Sequence, residues 1–148
     1  YLKKINKENI HFIAKNYDYI CDGTDNFKSR LLINDYCIKN KKILISSAIS
    51  KYDGHIFSFN FKKDGPCLRC FMPNIPSLEQ NCETDGIMST LAGIAGSIQA
   101  NEVIKSILNI GKPLRNEIMI FNSLDLSFRK VKLNKNSNCK NHLHVLRK

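Results

Sequence analysis

The sequence predicts an α/β domain with a mixed β-sheet. A short β-rich run at residues 17–22 passes through a polar turn into a segment with helical spacing, residues 27–38. The continuous apolar run at 43–49 is typical of a strand buried on both faces in a parallel sheet. Alternating runs at 55–61 and 127–133 are typical of strands in hairpins or at a sheet edge. Together these patterns predict parallel and antiparallel strands in one sheet.

The bulk composition predicts one domain with its own core. The chain has 148 residues, of which 43% are hydrophobic. No apolar run approaches the roughly 20 residues of a membrane span, and no signal-peptide pattern opens the chain, so we expect a cytoplasmic protein without a membrane segment. The net charge of +10 is spread along the chain as lysine. Without a basic and aromatic stacking motif, this charge does not favour nucleic-acid binding.

The first strand leads into a turn with a candidate site residue. Residues 1–16 contain helical fragments without a clear start. After residues 17–22, Thr24, Asp25 and Asn26 are of the types that cap helices. A carboxylate at a strand-to-helix turn is also where α/β sheets place ligand and metal chemistry. From the residues alone, Asp25 is therefore either a helix cap or a site residue.

The remaining strands are predicted from alternation and turn residues. The strand at 55–61 follows a turn and should pair with a neighbouring strand, and His55 at its start is expected on the surface. Two further strands are predicted at 117–122 and 127–133, joined by a short turn at 123–126.

A loop and a long helix are predicted between these strands. Two prolines interrupt residues 72–77, which predicts a crossover loop. The helix that follows is expected to place Gln99 and Glu102 away from the core and to pack closely at Gly93 and Gly96. Its predicted core stripe consists of Ile87, Leu91, Ile94, Ala95, Ile98, Val103, Ile104 and Ile107.

Cys82 lies between the Pro-rich loop and this helix. A thiol beside a helix N-terminus is biased toward the thiolate. Cys82 is therefore a possible nucleophile, and an inert small side chain is the alternative.

Two residue pairs have the spacing of a structural zinc site. Cys67 and Cys70 follow a Gly-Pro turn, and Cys139 and His142 repeat their spacing near the C-terminus. Thiolates and an imidazole are ligands that tetrahedral zinc accepts. His144 is an alternative fourth ligand, and chance pairs of buried thiols are the alternative to a metal site. The six cysteines could form a secreted disulfide framework, but a reducing compartment with zinc is the more economical interpretation.

Four motifs occur in the order and at the approximate spacing of a known family, over nearly the whole chain from Tyr17 onward. The motifs are Cys21-Asp22-Gly23-Thr24-Asp25-Asn26-Phe27 with Arg30 and Asn34, Gly65-Pro66-Cys67 with Arg69-Cys70, Cys82, and Gly86, Gly93 and Gly96 with Gln99-Ala100 and Glu102. They resemble the ThiF/MoeB/HesA family of ubiquitin-activating-like adenylyltransferases.

The resemblance implies a Rossmann-like ThiF-type domain that uses ATP and magnesium to adenylate the C-terminal glycine of a ubiquitin-like sulfur carrier, as in molybdopterin or thiamine biosynthesis. By position, Asp25 matches the aspartate of the magnesium and triphosphate site, and Asn26 lies alongside the nucleotide. Arg30 matches an arginine that could serve structure or phosphate binding. Cys82 matches a cysteine that some members link covalently to the carrier. The resemblance leaves the identity of the carrier and the presence of a homodimer open.

The resemblance also implies that Cys67, Cys70 and Cys139 are zinc ligands, with His142 where the family has a fourth cysteine. The family's Gly-rich G-x-G-x-x-G turn has no counterpart in this sequence. The missing turn predicts that the chain is the C-terminal half of a ThiF-type domain.

We expect residues 17–148 to form this half and residues 1–16 to be a remnant of the junction. The nucleotide-binding half is then absent or separately encoded, and autonomous ATP activation is not expected. The alternative is a non-catalytic, zinc-stabilised module that holds an acidic sulfur carrier or another protein through its basic surface.

Overall fold

The computed structural model describes residues 1–74 and 86–143, and this part of the chain contains one five-stranded sheet. Of the helical fragments expected in residues 1–16, only 10–14 is helical. None of the described helices is both long and apolar enough to cross a membrane. In chain order the elements are α1 (Ile10–Ala14), β1 (Tyr19–Asp22), α2 (Phe27–Lys39), β2 (Ile43–Ser50), β3 (Asp53–Asn60), α3 (Leu68–Phe71), α4 (Thr90–Leu108), β4 (Glu117–Asn122), β5 (Ser127–Lys132) and α5 (Lys140–Leu143).

The strands lie in the order β1–β2–β3–β4–β5. β1 and β2 are parallel, with Asp22 at the end of β1 opposite Ser46. The other pairs are antiparallel. The predicted mixed α/β sheet is therefore confirmed, although β2 is parallel to a neighbour on one side only. β5 forms one edge, and all six of its residues are exposed.

Side chains on the two faces of the sheet form two apolar layers. Burying one large aliphatic or aromatic side chain contributes about 1.5–3 kcal/mol of stability, so both layers hold the helices onto the sheet. The layer on the side of α1, α2 and α3 includes Leu31, Cys37, Leu44, Phe57, Phe59 and Leu68. The layer on the side of α4 includes Ile45, Ile56, Leu91, Ala95 and Phe121.

The buried face of α4 differs from the prediction. Gln99 and Glu102 are only 9% and 1% exposed, whereas Ile104 and Ile107 are 51% and 58% exposed. The predicted positions of these four side chains were therefore wrong. Burial of Gln99 and Glu102 is possible because each side chain makes hydrogen bonds to backbone groups outside the helix.

These two polar side chains attach α4 to the sheet and to the turn that follows it. The Gln99 side-chain amide donates to the carbonyl oxygens of Asp22 at 3.0 Å and Ile45 at 2.7 Å. The Glu102 carboxylate accepts a hydrogen bond from the Leu114 backbone N–H at 2.6 Å. The position of α4 is therefore set by polar contacts as well as by the apolar layer.

Within residues 1–74 and 86–143, the close packing expected at Gly93 and Gly96 is also absent. A Cβ atom at either position would meet nothing within 4 Å in the described part of the chain. Both residues are exposed, as are Ile104 and Ile107 farther along the helix. The outward face of α4 therefore combines small residues with exposed isoleucines.

Replacing Gln99 with alanine should destabilise the fold, because the carbonyl oxygens of Asp22 and Ile45 would lose this buried donor. An unsatisfied buried polar group costs about 1–3 kcal/mol, so the free energy of unfolding should fall by at least about 1 kcal/mol. Urea denaturation measures the change. Asn101→Ala, at an exposed position of the same helix, is the control and should alter stability by no more than about 0.5 kcal/mol. Equal losses in the two variants would contradict this role of Gln99.

Candidate active site and metal centre

The loop between β1 and α2 presents the Asp25 carboxylate at the surface. Asn26 is the N-cap of α2, and its side-chain oxygen accepts a hydrogen bond from the Ser29 backbone N–H at 2.8 Å. Asp25 is exposed and accepts a hydrogen bond from the Asn26 side-chain amide at 2.9 Å. The helix cap is therefore Asn26, which leaves Asp25 available to a ligand.

The surroundings of Asp25 keep its carboxylate ionised. The hydrogen bond from Asn26 and a backbone hydrogen bond lower the pKa of Asp25, and the charges of Lys4 and Arg30 act in the same direction. An ionised carboxylate of this kind is a ligand that magnesium accepts.

A second carboxylate, Asp22, is buried and holds the loop in place. It is 1% exposed. Its Oδ1 accepts hydrogen bonds from the backbone N–H of Thr24 at 2.9 Å and from the Thr24 hydroxyl at 2.7 Å, and its Oδ2 accepts one from the Ser46 hydroxyl at 2.7 Å. The sequence alone assigned no separate role to Asp22. A pattern that could have predicted this role is an aspartate at a strand end two residues before a threonine, which is typical of an Asx turn.

Arg30 also holds this loop. Its guanidinium donates a hydrogen bond to the Thr24 carbonyl oxygen from the first turn of α2. Since Arg30 also lines the cavity beside Asp25, one side chain can both fix the loop and face a ligand.

A cavity of about 240 Å³ adjoins the loop. Asp25, Arg30, Lys51 and His55 contribute polar or charged groups to its wall. The apolar part of the wall includes Phe27, Ile49, Phe57, Leu68, Phe71 and Ile87. An apolar cavity with a few charged groups on its wall is the usual form of a small-ligand site.

His55 belongs to this cavity and not to the open surface, so the prediction for His55 was wrong. It is half-buried, because it lies in the cavity wall with its ring centroid 6.5 Å from that of Phe57. Burial and the charges of Arg129 and Arg30 lower the pKa of His55 against the opposing charge of Asp53. A neutral imidazole therefore faces the cavity near neutral pH.

The four side chains predicted to bind zinc lie in one cluster. The Cys67 sulfur lies 3.9 Å from the Cys70 sulfur and 3.7 Å from the Cys139 sulfur. One ligand atom from each of Cys67, Cys70, Cys139 and His142 lies within 4.8 Å of the other three. Two short segments far apart in sequence therefore converge on one point.

This cluster fits a tetrahedral metal ion. Metal–sulfur bonds of about 2.3 Å at tetrahedral angles place two sulfurs roughly 3.8 Å apart. Nε2 of His142 is buried without a hydrogen-bond partner among the described residues, and a metal ion would satisfy it. Burial and the neighbouring Cys70 and Cys139 raise the pKa of Cys67 to about 12, so its thiolate needs a nearby cation. Burial lowers the pKa of His142, which favours the neutral imidazole that binds metals.

The metal centre and the cavity share α3. Cys70 belongs to this helix, and Leu68 and Phe71 from the same helix line the cavity. The Phe71 ring also packs against the Phe57 ring, with the ring centroids 5.3 Å apart. The wall of the cavity is therefore built on the same helix as half of the metal centre.

Two residues singled out in the sequence lie outside the described residues. They are Cys82, the possible nucleophile, and His144, the alternative metal ligand. Their roles stay predictions.

The fold and these two sites define a mixed α/β domain with a cavity at a strand-to-helix turn and a Cys₃His cluster that is compatible with a metal site. The chain belongs to the ThiF family, whose family model matches residues 1–141. The resemblance stated from the sequence motifs is therefore confirmed.

Relatives of this chain include several adenylyltransferases. A sulfur carrier protein adenylyltransferase of Thermus thermophilus is 34% identical over 145 residues, which cover 94% of this chain and 54% of that protein. A SAMP-activating enzyme E1 of Haloferax volcanii is 33% identical over 138 residues, or 92% of this chain and 50% of that protein. The adenylyltransferase and sulfurtransferase MOCS3 of Drosophila willistoni is 37% identical over 139 residues, which cover 91% of this chain and 30% of that protein. The chain thus spans between 30% and 54% of the length of these relatives.

Solved structures share the fold. MccB of E. coli, crystallised with ATP, superposes with a TM-score of 0.74 at 16% identity, covering 94% of this chain and 44% of that one. A structure of PaaA gives a TM-score of 0.63 at 12% identity, covering 88% of this chain and 40% of that one. These likenesses confirm the ThiF-type architecture.

Proposed function

We propose that this chain takes part in the ATP-dependent adenylation of the C-terminal glycine of a ubiquitin-like sulfur carrier. The observation that carries the proposal is the cavity at the end of β1, where the ionised Asp25 and the cationic Arg30 line one wall. The kinship with a sulfur carrier protein adenylyltransferase points to the same reaction.

In the proposed reaction an oxygen of the glycine carboxylate attacks the α-phosphate of ATP, and pyrophosphate leaves. Asp25 would hold Mg²⁺ with Asn26 beside it, and a magnesium ion bound there would neutralise phosphate charge. Arg30 would contribute a fixed positive charge near the phosphates. Asp22 would keep the loop rigid, so that Asp25 needs little reorganisation when the nucleotide binds.

We also propose that residues 17–148 are the C-terminal half of the ThiF-type domain, with residues 1–16 as the junction. A Gly-rich nucleotide-binding half would then be supplied by another segment or by a separately encoded chain. The length of the relatives supports this division. The exposed face of α4 with Gly93 and Gly96 would suit close contact with such a half or with a second copy in a homodimer.

Exchange of labelled pyrophosphate into ATP tests the adenylation. With Mg²⁺ and a carrier ending in Gly-Gly, exchange is expected when a Gly-rich half is added as a second polypeptide. Asp25→Asn should lower the exchange rate at least about 100-fold, because it removes a charge that organises the phosphates. Asp18→Asn, which removes an exposed carboxylate outside the cavity wall, is the matched control and should leave the rate within about twofold.

The outcomes separate the two proposals. Exchange by the chain alone would overturn the division into halves and leave the function intact. Carrier binding without exchange, even with a Gly-rich half present, would overturn the function and favour a non-catalytic module.

We propose zinc as the metal of the Cys67, Cys70, Cys139 and His142 cluster, since three thiolates and an imidazole suit this ion. Reduced thiolates as ligands also support the cytoplasm as the compartment. Zinc would close the segment between Cys67 and Cys139, so its binding energy would contribute to folding.

Chelation of the metal should therefore lower the melting temperature by at least about 5 °C, because part of the folding free energy depends on the ion. Calorimetry with and without a strong chelator measures the shift, and elemental analysis measures the bound zinc. Cys21→Ser, which alters an exposed thiol outside the cluster, should keep both the zinc and the shift. A reduced protein without zinc, or a melting temperature that does not respond to the chelator, would contradict the zinc assignment.

We further propose that the Cys82 thiolate attacks the carbonyl carbon of the adenylated carrier, so that a thioester forms and AMP leaves, and that Cys82 has no part in adenylation itself. Cys82→Ser should then leave pyrophosphate exchange within about twofold and abolish the covalent carrier adduct on a non-reducing gel. Cys21→Ser is the control for loss of a thiol and should keep both the pyrophosphate exchange and the covalent carrier adduct. Loss of exchange in Cys82→Ser would show that the two roles are not separate.

A further inference from the structure

One carboxylate on α2 binds both halves of the metal centre. Arg69 lies between Cys67 and Cys70, and its Nε and Nη2 donate to the two oxygens of Asp35 at 2.9 and 2.6 Å. Asn141 lies between Cys139 and His142, and its side-chain amide donates to Asp35 Oδ1 at 2.9 Å. The residues inside the two ligand pairs therefore meet on the same acceptor.

Asn141 also reaches a ligand atom. Its amide nitrogen lies 3.9 Å from the Cys67 sulfur, within hydrogen-bond range for sulfur. An N–H group directed at a thiolate offsets part of its charge, and groups that orient metal ligands in this way are important for metal affinity. Because Asp35 accepts from the same amide nitrogen, it fixes the direction of that group.

The contacts of Asp35 are of the stronger kind. A guanidinium that donates two parallel hydrogen bonds to a carboxylate gives an oriented, charge-assisted pair. The Arg69 and Asp35 side chains are 25% and 37% exposed, so water screens the pair only in part. α2 is thereby attached to both segments that supply ligands.

We propose that Asp35 preorganises the metal centre by holding the two ligand pairs together through Arg69 and Asn141. This inference rests on the metal site proposed above. It gives Asp35 a role in metal affinity and retention that neither the spacing of the ligands nor the family resemblance assigns to it. Without Asp35 the two pairs would have to be brought together when the ion binds.

The chain contains a matched control for this role. Asp64 precedes the first ligand pair, and Lys135, which precedes the second, pairs with it at 2.6 Å. This ion pair joins the same two segments, but the Asp64 side chain is 81% exposed, and exposed ion pairs contribute little. Asp64→Asn therefore makes the same charge change in the same region and leaves the hydrogen bonds of Asp35 with Arg69 and Asn141 in place.

Competition with a chromogenic chelator measures Zn²⁺ affinity, and a stopped-flow version measures the rate of release. Wild type should bind one ion. Asp35→Asn should lower the affinity about 10- to 100-fold and speed release, because loss of a group that orients metal ligands typically has an effect of this size. Asp64→Asn should stay within about threefold of wild type. Co²⁺ absorption reports whether the tetrahedral sulfur-rich geometry is kept in each variant.

Asn141→Ala serves as a second variant in case Asp35→Asn does not fold, and it should lower the affinity about 10-fold. In the double variant, Asp35→Asn with Asn141→Ala, the fold-loss of Zn²⁺ affinity should be smaller than the product of the two single fold-losses, since both side chains act through one contact. Circular dichroism of the metal-free forms separates this role from a general loss of stability. A residue that acts only through stability would lower the melting temperature of the metal-free protein and leave the release rate unchanged.

The results discriminate between the inference and the metal site on which it rests. A wild-type chain that binds neither ion overturns both. Tight wild-type binding with Asp35→Asn within threefold, or an equal loss in Asp64→Asn, overturns the inference alone.

Discussion

The buried polar contacts at the end of β1 are the constraint on which the site depends. Asp22 places a polar side chain in the interior, and this is tolerated because Thr24 and Ser46 donate hydrogen bonds to it. Its carbonyl oxygen is in turn bound by Gln99 from α4. The loop, β2 and α4 are thus fixed to one residue. The Asp25 carboxylate, three residues farther along the chain, is exposed on a loop that Asp22 and Arg30 hold by hydrogen bonds.

A metal ion bound by Cys67, Cys70, Cys139 and His142 would supply the second constraint. The sulfurs of Cys67 and Cys139 lie 3.7 Å apart although the residues are 72 positions apart in sequence. A covalent cross-link over such a separation removes chain entropy worth about 4 kcal/mol from the unfolded state, and a shared metal ion acts in a comparable way. α3 would carry this constraint to the cavity, since Leu68 and Phe71 form part of its wall.

The sequence predicted the features that depend on local pattern or on ligand spacing. The mixed sheet follows from the runs at 17–22 and 43–49, and the convergence of the four ligands follows from their spacing. The buried face of α4 could not be predicted in this way, because a hydrophobicity pattern places Gln99 outward without information on the carbonyl groups it meets. Asp22 and Asp35 were missed for the same reason, since the partners that give them a role are Ser46, Gln99, Arg69 and Asn141.

The two constraints meet on α2. This helix has 13 residues and is therefore about 20 Å long. Its first turn binds the loop through Asn26 and Arg30. Asp35, about 14 Å along the axis from Asn26, binds Arg69 and Asn141 in the two segments that supply the cluster. α2 is therefore hydrogen-bonded to both sites, since its N-terminal turn binds the loop that carries Asp25 and its third turn binds the two segments that supply the cysteine and histidine cluster.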